Sequence, residues 1–298
     1  MSEPLRPPRR CRVLATRYRR GGTVATVSTS TPDATTPQSP KVMARNVSKR
    51  FDTMAGEVIA LERFDLDVHA GEVVCVVGPS GCGKSTFLRI LAGLEEATGG
   101  ELQVRSDAPD KPENAVVFQE YAIFPWKTVQ ENVAFGLRMR GMARRERDEI
   151  ARHWIDRVGL RRFARAYPAQ LSGGMKQRVA IARALAYDAD LLLMDEPLGA
   201  LDAQTRLTLQ AELLRLWAET SKTVVYVTHG LEEAVLLADR VVVMTAHPGK
   251  VKTILDINLA RPRGIETTTT SEFAALTGRL WEALRDEVAR AQGYEVSA

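Results

Sequence analysis

Only three cysteines, Cys11, Cys75 and Cys82, occur in 298 residues. The number is odd and none stands in a C-x-x-C spacing, which excludes a disulfide framework and a zinc ribbon and suits a reducing compartment. A chain of this length buries a sizeable core without such staples. No stretch approaches the roughly 18 consecutive apolar residues that a membrane-spanning helix needs, and the longest runs, such as Val73 to Val77, have strand length. Any action across a membrane therefore requires another chain to do the spanning. Internal repeats and a sustained heptad pattern are also missing. No apolar segment follows the amino-terminal arginines, so no signal peptide is expected.

An excess of one charge is missing too, once its position is considered. The chain has 41 basic and 37 acidic residues, but residues 1–40 hold seven arginines and only two acids, Glu3 and Asp33. The remainder carries 34 basic and 35 acidic groups and is near neutral, which gives no warrant for a nucleic-acid partner. Those first 40 residues mix arginine with Pro, Ser, Thr and Gly and are expected to be disordered. Met43, just beyond them, is a natural alternative start.

From Lys41 onward the pattern changes. Val73–Val77, Ala115–Phe118, Leu191–Met194, Val224–Thr228 and Val241–Met244 are near-continuous apolar runs, as in a parallel sheet buried on both faces. Between them lies helical periodicity: Val129, Val133 and Leu137 recur every four residues, as do Ile150, Trp154 and Val158. The spacing predicts an α/β core interrupted by a helical stretch over about 120–186. Turn signals at His247-Pro248-Gly249 and Arg261-Pro262-Arg263-Gly264 precede a last helix with Phe273, Leu276, Leu280, Leu284 and Val288 on one face, which Ser271 could cap.

Gly78-Pro79-Ser80-Gly81-Cys82-Gly83-Lys84-Ser85 fits the phosphate-loop pattern GxxxxGK[ST]. It follows the strand Val73–Val77 and opens the helix-forming stretch Ser85–Ala92 that begins Ser85-Thr86, the arrangement in which backbone N–H groups and a helix N-terminus surround phosphates. Lys84 adds a point charge for the β and γ phosphates of ATP, and Ser85 a hydroxyl for Mg²⁺. Leu191–Met194 ends in Asp195-Glu196, placing two carboxylates at the strand end where open α/β sheets bind ligands. Asp195 is a candidate for Mg²⁺, and Glu196 for the proton of an attacking water. Alone, such a carboxylate pair is more often a solvated turn; the phosphate loop gives it meaning.

A second anion site is written into Leu171-Ser172-Gly173-Gly174-Met175-Lys176-Gln177-Arg178, a Ser-Gly-Gly turn opening a helix over Met175–Tyr187. This octet resembles the signature motif of ATP-binding cassette proteins. The resemblance spans about 43–260 and implies a P-loop α/β fold with an inserted helical subdomain. It also implies head-to-tail homodimers in which Ser172, Gly173 and Gly174 close over the ATP held by the partner's phosphate loop. Within it, Gln119 resembles the glutamine that reaches Mg²⁺ and the attacking water. Leu198-Gly199-Ala200-Leu201-Asp202 resembles the loop that crosses the dimer interface, and His229 the histidine that bonds the γ-phosphate. Phe51 stands where an aromatic residue stacks on adenine, although it reads equally as a core phenylalanine. Gly230 departs from the family, which often has aspartate there.

A finer similarity, to ATPase subunits of nitrate, sulfonate and taurine importers, rests on three stretches. They are Phe118-Gln119-Glu120-Tyr121-Ala122-Ile123-Phe124-Pro125-Trp126-Lys127-Thr128-Val129, Asp239–Met244 and Leu259-Ala260-Arg261-Pro262-Arg263. It implies an ATPase domain over 41–264 and a linker with a C-terminal helix over 265–298. It further implies a place at the cytoplasmic face of the membrane, a separate permease, and an extracytoplasmic binding protein that delivers substrate. Tyr121 to Trp126 is either a groove for a permease helix or ordinary packing of the helical stretch. The rivals are an exporter ATPase, a non-transport cassette protein and a P-loop kinase or GTPase. Tyr121–Trp126 argues against the first. The single cassette argues against the second. Against the third stand the signature octet and the missing NKxD-type motif.

Overall fold

Strands apolar along nearly their whole length can lie only where both faces are covered, and they form the middle layer of this protein. The computed structural model describes residues 40–54, 56–106 and 111–292. The expectation for residues 1–40 falls, Pro40 apart, outside the described residues. In chain order the strands are β1 (Val42–Thr53), β2 (Gly56–Val68), β3 (Val73–Val77), β4 (Gly99–Val104), β5 (Asn114–Val117), β6 (Leu191–Asp195), β7 (Thr223–Val227), β8 (Arg240–Met244) and β9 (Val251–Asp256). The helices are α1 (Lys84–Leu91), α2 (Val129–Val133), α3 (Phe135–Met139), α4 (Arg144–Arg157), α5 (Gly173–Ala186), α6 (Ala203–Thr220), α7 (Leu231–Leu237) and α8 (Ser271–Ala291).

A six-stranded sheet runs β5-β6-β7-β3-β8-β9. Its first five strands are parallel and β9 closes it antiparallel. All of β3, β6 and β7 is buried. The order brings the C-terminal ends of β5, β6, β7 and β3 to one edge, where the sequence places its candidate residues. One face packs on α1 and on a smaller antiparallel sheet of order β2-β1-β4, through Phe64, Phe87 and Leu88. The other face is covered by α5 to α8.

The smaller sheet was not read from the sequence, for a physical reason. Its strands are buried on one side only, and register shifts in β1 and β2 break the alternation, with Asn46 and Arg63 both at positive φ. The helical stretch also differs in detail. The period Val129–Val133–Leu137 is divided at Ala134 between α2 and α3. In α4 the buried positions are Ala151 and Ile155, while Ile150 and Trp154 sit half-buried beside them. These helices share their own cluster with Val179 and Ala182 of α5.

A chain starting at Met43 lacks two buried residues of the fold, Lys41 and Val42. Lys41 already belongs to the fold: its backbone N–H donates to Val68 O (2.7 Å), and its buried ammonium pairs with Asp190 at 3.1 Å. Removing one partner of a buried pair costs about 3 kcal/mol or more. A chain beginning at Met43 is therefore expected to melt several degrees below one beginning at Lys41, by differential scanning calorimetry of the two.

The expected capping of α8 is corrected by the structure. Thr270, not Ser271, is the N-cap: it has extended backbone and its hydroxyl accepts from Phe273 N at 3.2 Å, whereas Ser271 is already helical. Phe273, Leu280 and Leu284 bury against the main core. Glu287, also buried, accepts from Lys252 Nζ (2.8 Å), Ala246 N (2.9 Å) and Arg290 (3.1 Å). Burial pushes the Glu287 carboxyl up, but the bonds from Lys252 and Ala246 outweigh it and hold its pKa below the ordinary glutamate value. A depressed folded pKa gives stability that is present at neutral pH and lost as pH falls through the folded value. Glu287→Gln should thus lower Tm at pH 7 by a few degrees (about 2–4 °C per kcal/mol). The difference should shrink as pH falls below the ordinary glutamate value and vanish only below the lower folded one.

Candidate active site

The loop between β3 and α1 is built around backbone that only glycine tolerates. Gly83, the N-cap of α1, has φ +100°, and a Cβ there would lie 2.6 Å from Ala60 O. With that turn made, Lys84 is the first helical residue. Its buried ammonium donates to Gly78 O (2.8 Å) and Pro79 O (2.9 Å), spanning the loop from within. Cys82 Sγ accepts a long bond from Lys84 Nζ (3.9 Å). Its thiol is buried under Gly78, and that burial pushes its pKa up.

A cleft of about 530 Å³ opens over this loop, lined by Ser80, Gly81, Gly83, Lys84, Ser85 and Thr86. Phe51 and Val58 from the smaller sheet, Gln119 after β5, Glu196 after β6 and His247 after β8 complete it. Gly78, Pro79 and Cys82 lie behind that lining. Phe51 is half-buried at the rim, with Lys49 Nζ 4.8 Å from its ring centre, so it is not a core phenylalanine.

Ser85 Oγ donates to Asp195 Oδ1 at 2.9 Å. Asp195 is nearly buried, and its pKa is raised: burial drives the rise, Glu196 adds to it, and the Ser85 bond opposes it. A hydroxyl and a carboxylate side by side at the foot of the cleft are hard oxygen donors of the kind Mg²⁺ takes together with phosphate oxygens. The residues present fit that ion.

Glu196 follows with φ +44°, a backbone rarely adopted without glycine and one found where a side chain must be aimed. Its N–H donates to Val227 O (2.9 Å), and its Oε2 is the meeting point of the site. Gln119 Nε2 donates to that oxygen at 3.3 Å, and His229 Nδ1 lies 3.2 Å from it. Three residues from three strand ends thus converge on one carboxylate oxygen above the phosphate loop. This arrangement can orient a water and accept its proton.

The sequence reading missed the carboxylate that ties down Thr228, the residue before His229. Glu233, on α7, accepts from Tyr226 Oη and Thr228 Oγ1, both at 2.5 Å, and Thr228 Oγ1 accepts from Gly230 N at 3.0 Å. A Cβ on Gly230 would lie 3.2 Å from Glu233 Oε2, so the glycine leaves room for this carboxylate. His247 was also missed, because it arrives from a loop whose turn signal says nothing of where it points.

Ser172, Gly173, Gly174 and Asp202 are not among the residues lining this cleft. Ser172 caps α5, its hydroxyl accepting from Met175 N (3.3 Å). Asp202 caps α6, accepting from Thr205 N (3.0 Å), a bond that keeps its pKa low. The two caps are packed together. A Cβ on Gly174 would lie 2.5 Å from Thr205 Cγ2, and one on Gly173 2.7 Å from Tyr121 Oη. Ser172 itself is exposed.

A parallel sheet, a phosphate loop after its central strand, and carboxylates and polar side chains gathered at the neighbouring strand ends define a P-loop ATPase. Comparison with known proteins makes that narrower. The family described as "ABC transporter" matches residues 61–199. An uncharacterized ABC transporter ATP-binding protein of Methanocaldococcus jannaschii is 49% identical over 83% of this chain and 92% of its own length. The taurine import ATP-binding protein of Roseobacter denitrificans is 50% identical over 69% of this chain and 78% of its own. The nitrate import ATP-binding protein of a Synechocystis strain is 45% identical over 72% and 81%. A bacterial ABC transporter cassette solved as a dimer, and again in a post-hydrolysis state bound to ADP and Pi, superposes with a TM-score of 0.65 at 34% identity, covering 74% of this chain and all of its own. The chain belongs to the ATP-binding cassette family of transporter ATPases, and it hydrolyses ATP.

Proposed function

We propose that this chain is the ATP-hydrolysing subunit of an importer for a small anion of the taurine, sulfonate or nitrate kind. The observation that carries the reading is the convergence of Gln119 and His229 on Glu196 Oε2 above the phosphate loop. Lys84, Ser85 and the amides of Gly78 to Thr86 hold the phosphates, and Phe51 meets the adenine. Ser85, Asp195 and Gln119 hold Mg²⁺, which when bound supplies positive charge to the phosphate oxygens. Glu196 takes the proton of the attacking water, and His229 bonds the γ-phosphate. Two chains pair so that Ser172, Gly173, Gly174 and Asp202 of each complete the site of the other.

A permease partner is favoured by the surface beside β5. An apolar groove of about 450 Å³, lined by Leu94, Phe118, Phe124, Phe135, Met139 and Tyr187, runs between α1 and the helical layer. Leu94 and Met139 are more than half exposed there. Phe124 is held in the groove wall by Phe135 (ring centres 4.5 Å apart) and by Asn132. Of the stretch from Tyr121, Trp126 is the exposed large aromatic, so the loop is packed at its middle and open at its end. Such a groove suits a partner helix. No helix among the described residues is long and apolar enough to cross a membrane, so the place at the cytoplasmic face comes through that partner, which in turn meets an extracytoplasmic binding protein.

The test is to purify the tagged chain from membranes of its own cells. Permease and binding-protein subunits are expected to accompany it, and the binding protein's bound ligand names the cargo. Met139→Glu should abolish co-purification while leaving ATP hydrolysis in solution unchanged. Retention of the membrane subunits by that variant would remove the groove from the account.

A further inference from the structure

Beside the apolar groove, on the other side of Phe135, lies a cleft of opposite character. It is about 410 Å³ and lies between α2, α3, α4 and the turn after Arg161–Phe163. Lys127, Arg138, Arg144, Arg147 and Arg165 bring five positive charges to its lining, and Glu131 and Asp148 only two negative ones. The two carboxylates are already engaged. Glu131 closes the capping box of α2, accepting from Thr128 N (2.8 Å) and Thr128 Oγ1 (2.9 Å), and Asp148 faces Arg144 at 3.7 Å. Among the described residues, Lys127, Arg138, Arg147 and Arg165 have no carboxylate within ion-pair distance. Lys127 instead lies over the Phe135 ring, at 5.7 Å.

Five cations against two carboxylates leave an excess of positive potential around one opening, which Glu131 offsets only in part through Lys127 and Arg138. A multiply accepting anion can satisfy that excess, and guanidinium groups match phosphate oxygens two at a time. Large exposed aromatics stand close in sequence to two of these cations. Trp126 next to Lys127 is 70% exposed, and Phe163, two residues before Arg165, is 41% exposed. Aromatic side chains beside arginine and lysine are the residues that settle at the headgroup level of a bilayer. The cleft shares the Phe135 wall with the groove in which a permease helix is proposed to sit. If that helix belongs to a membrane subunit, the cleft is brought close to the leaflet around it.

We propose that this cleft binds the phosphate of anionic phospholipid headgroups, a second contact with the membrane beside the permease. Its orientation rests on the permease reading, but its ligand does not. Each basic residue near an anionic leaflet adds to binding, and the effect is screened by salt.

The experiment uses the full chain, so that residues 1–40 contribute equally throughout, and sedimentation with protein-free vesicles of phosphatidylglycerol and phosphatidylcholine. Arg138→Glu/Arg165→Glu is compared with Arg279→Glu/Arg285→Glu, an equal charge change on exposed positions of α8. The first pair should weaken vesicle binding at least tenfold (about 1.4 kcal/mol), and the second far less. Neither should alter ATP hydrolysis, which also reports that both fold. Equal losses in the two pairs would overturn the proposal, because net charge or the tail would then carry the binding. Saturable binding of inorganic phosphate that the first pair abolishes, with vesicle binding intact, would assign the cleft to a free ion instead. Loss of permease co-purification with vesicle binding intact would assign it to an acidic protein surface. Because no permease is present in the vesicles, failure here leaves the transporter reading untouched, and failure of that reading leaves this result standing.

Discussion

Replacing Glu196 by glutamine is expected to cut steady-state ATP hydrolysis by about 10²–10⁴-fold, the range a positioned general base supplies, while ATP affinity stays near that of the unaltered chain. The amide keeps the size and shape of the carboxylate but accepts no proton. Its oxygen can still take the bond from Gln119 Nε2, so the strand ends remain tied together. The phosphate contacts come from other residues, Lys84 and the loop amides, whose placement owes nothing to Glu196: Lys84 is held by Gly78 O and Pro79 O. Binding and cleavage should therefore separate, read by a fluorescent nucleotide titration beside a phosphate-release assay. Turnover near the unaltered rate would remove Glu196 as the base.

The second large effect lies between chains. Lys84→Ala removes the one cation inside the phosphate loop, and Ser172→Arg fills the exposed turn at the start of α5 with a bulky charge. Ser172 is absent from the cleft that Lys84 lines, so within one chain the two residues have no common site. If each site joins one chain's Lys84 to the other's Ser172, a mixed dimer of the two variants has one site with both lesions and one with none. With half of the dimers mixed and one of two sites intact in each, mixing should restore about a quarter of the unaltered chain's ATP hydrolysis, which neither variant shows alone. No recovery, with exchange of chains verified by a tag on each, would speak against the head-to-tail pairing. The helix-cap loss in Ser172→Arg costs about 1 kcal/mol, and melting of each variant keeps misfolding apart from a missing site.

How much of this was legible beforehand depended on whether the information is local. Val73–Val77 and Leu191–Met194 are continuous apolar runs, and the residues just after them must emerge at the sheet edge. Gly78–Ser85 and Asp195-Glu196 could therefore be placed together from the sequence alone. The half-buried sheet of β1, β2 and β4 could not be, since the irregularities at Asn46 and Arg63 shift the face on which apolar residues fall. Glu233 was hidden for another reason. A glutamate two residues into a helix reads as a favourable first-turn charge, and nothing local says that it folds back onto Tyr226 and Thr228 behind His229. Thr270 and Ser271 are adjacent hydroxyl residues, either able to cap, and only the backbone decides between them. Ser172 and Asp202 mark the limit. Both cap helices away from the cleft of their own chain, and only family resemblance assigns them to a second copy.

That second copy is the central claim, and the mass of Glu196→Gln in solution tests it most directly. Sedimentation velocity of this variant with saturating ATP and Mg²⁺ should show a species of two chains that reverts to one when nucleotide is removed, because closure no longer ends in cleavage. A single-chain mass throughout, with ATP shown to be bound, would contradict the account.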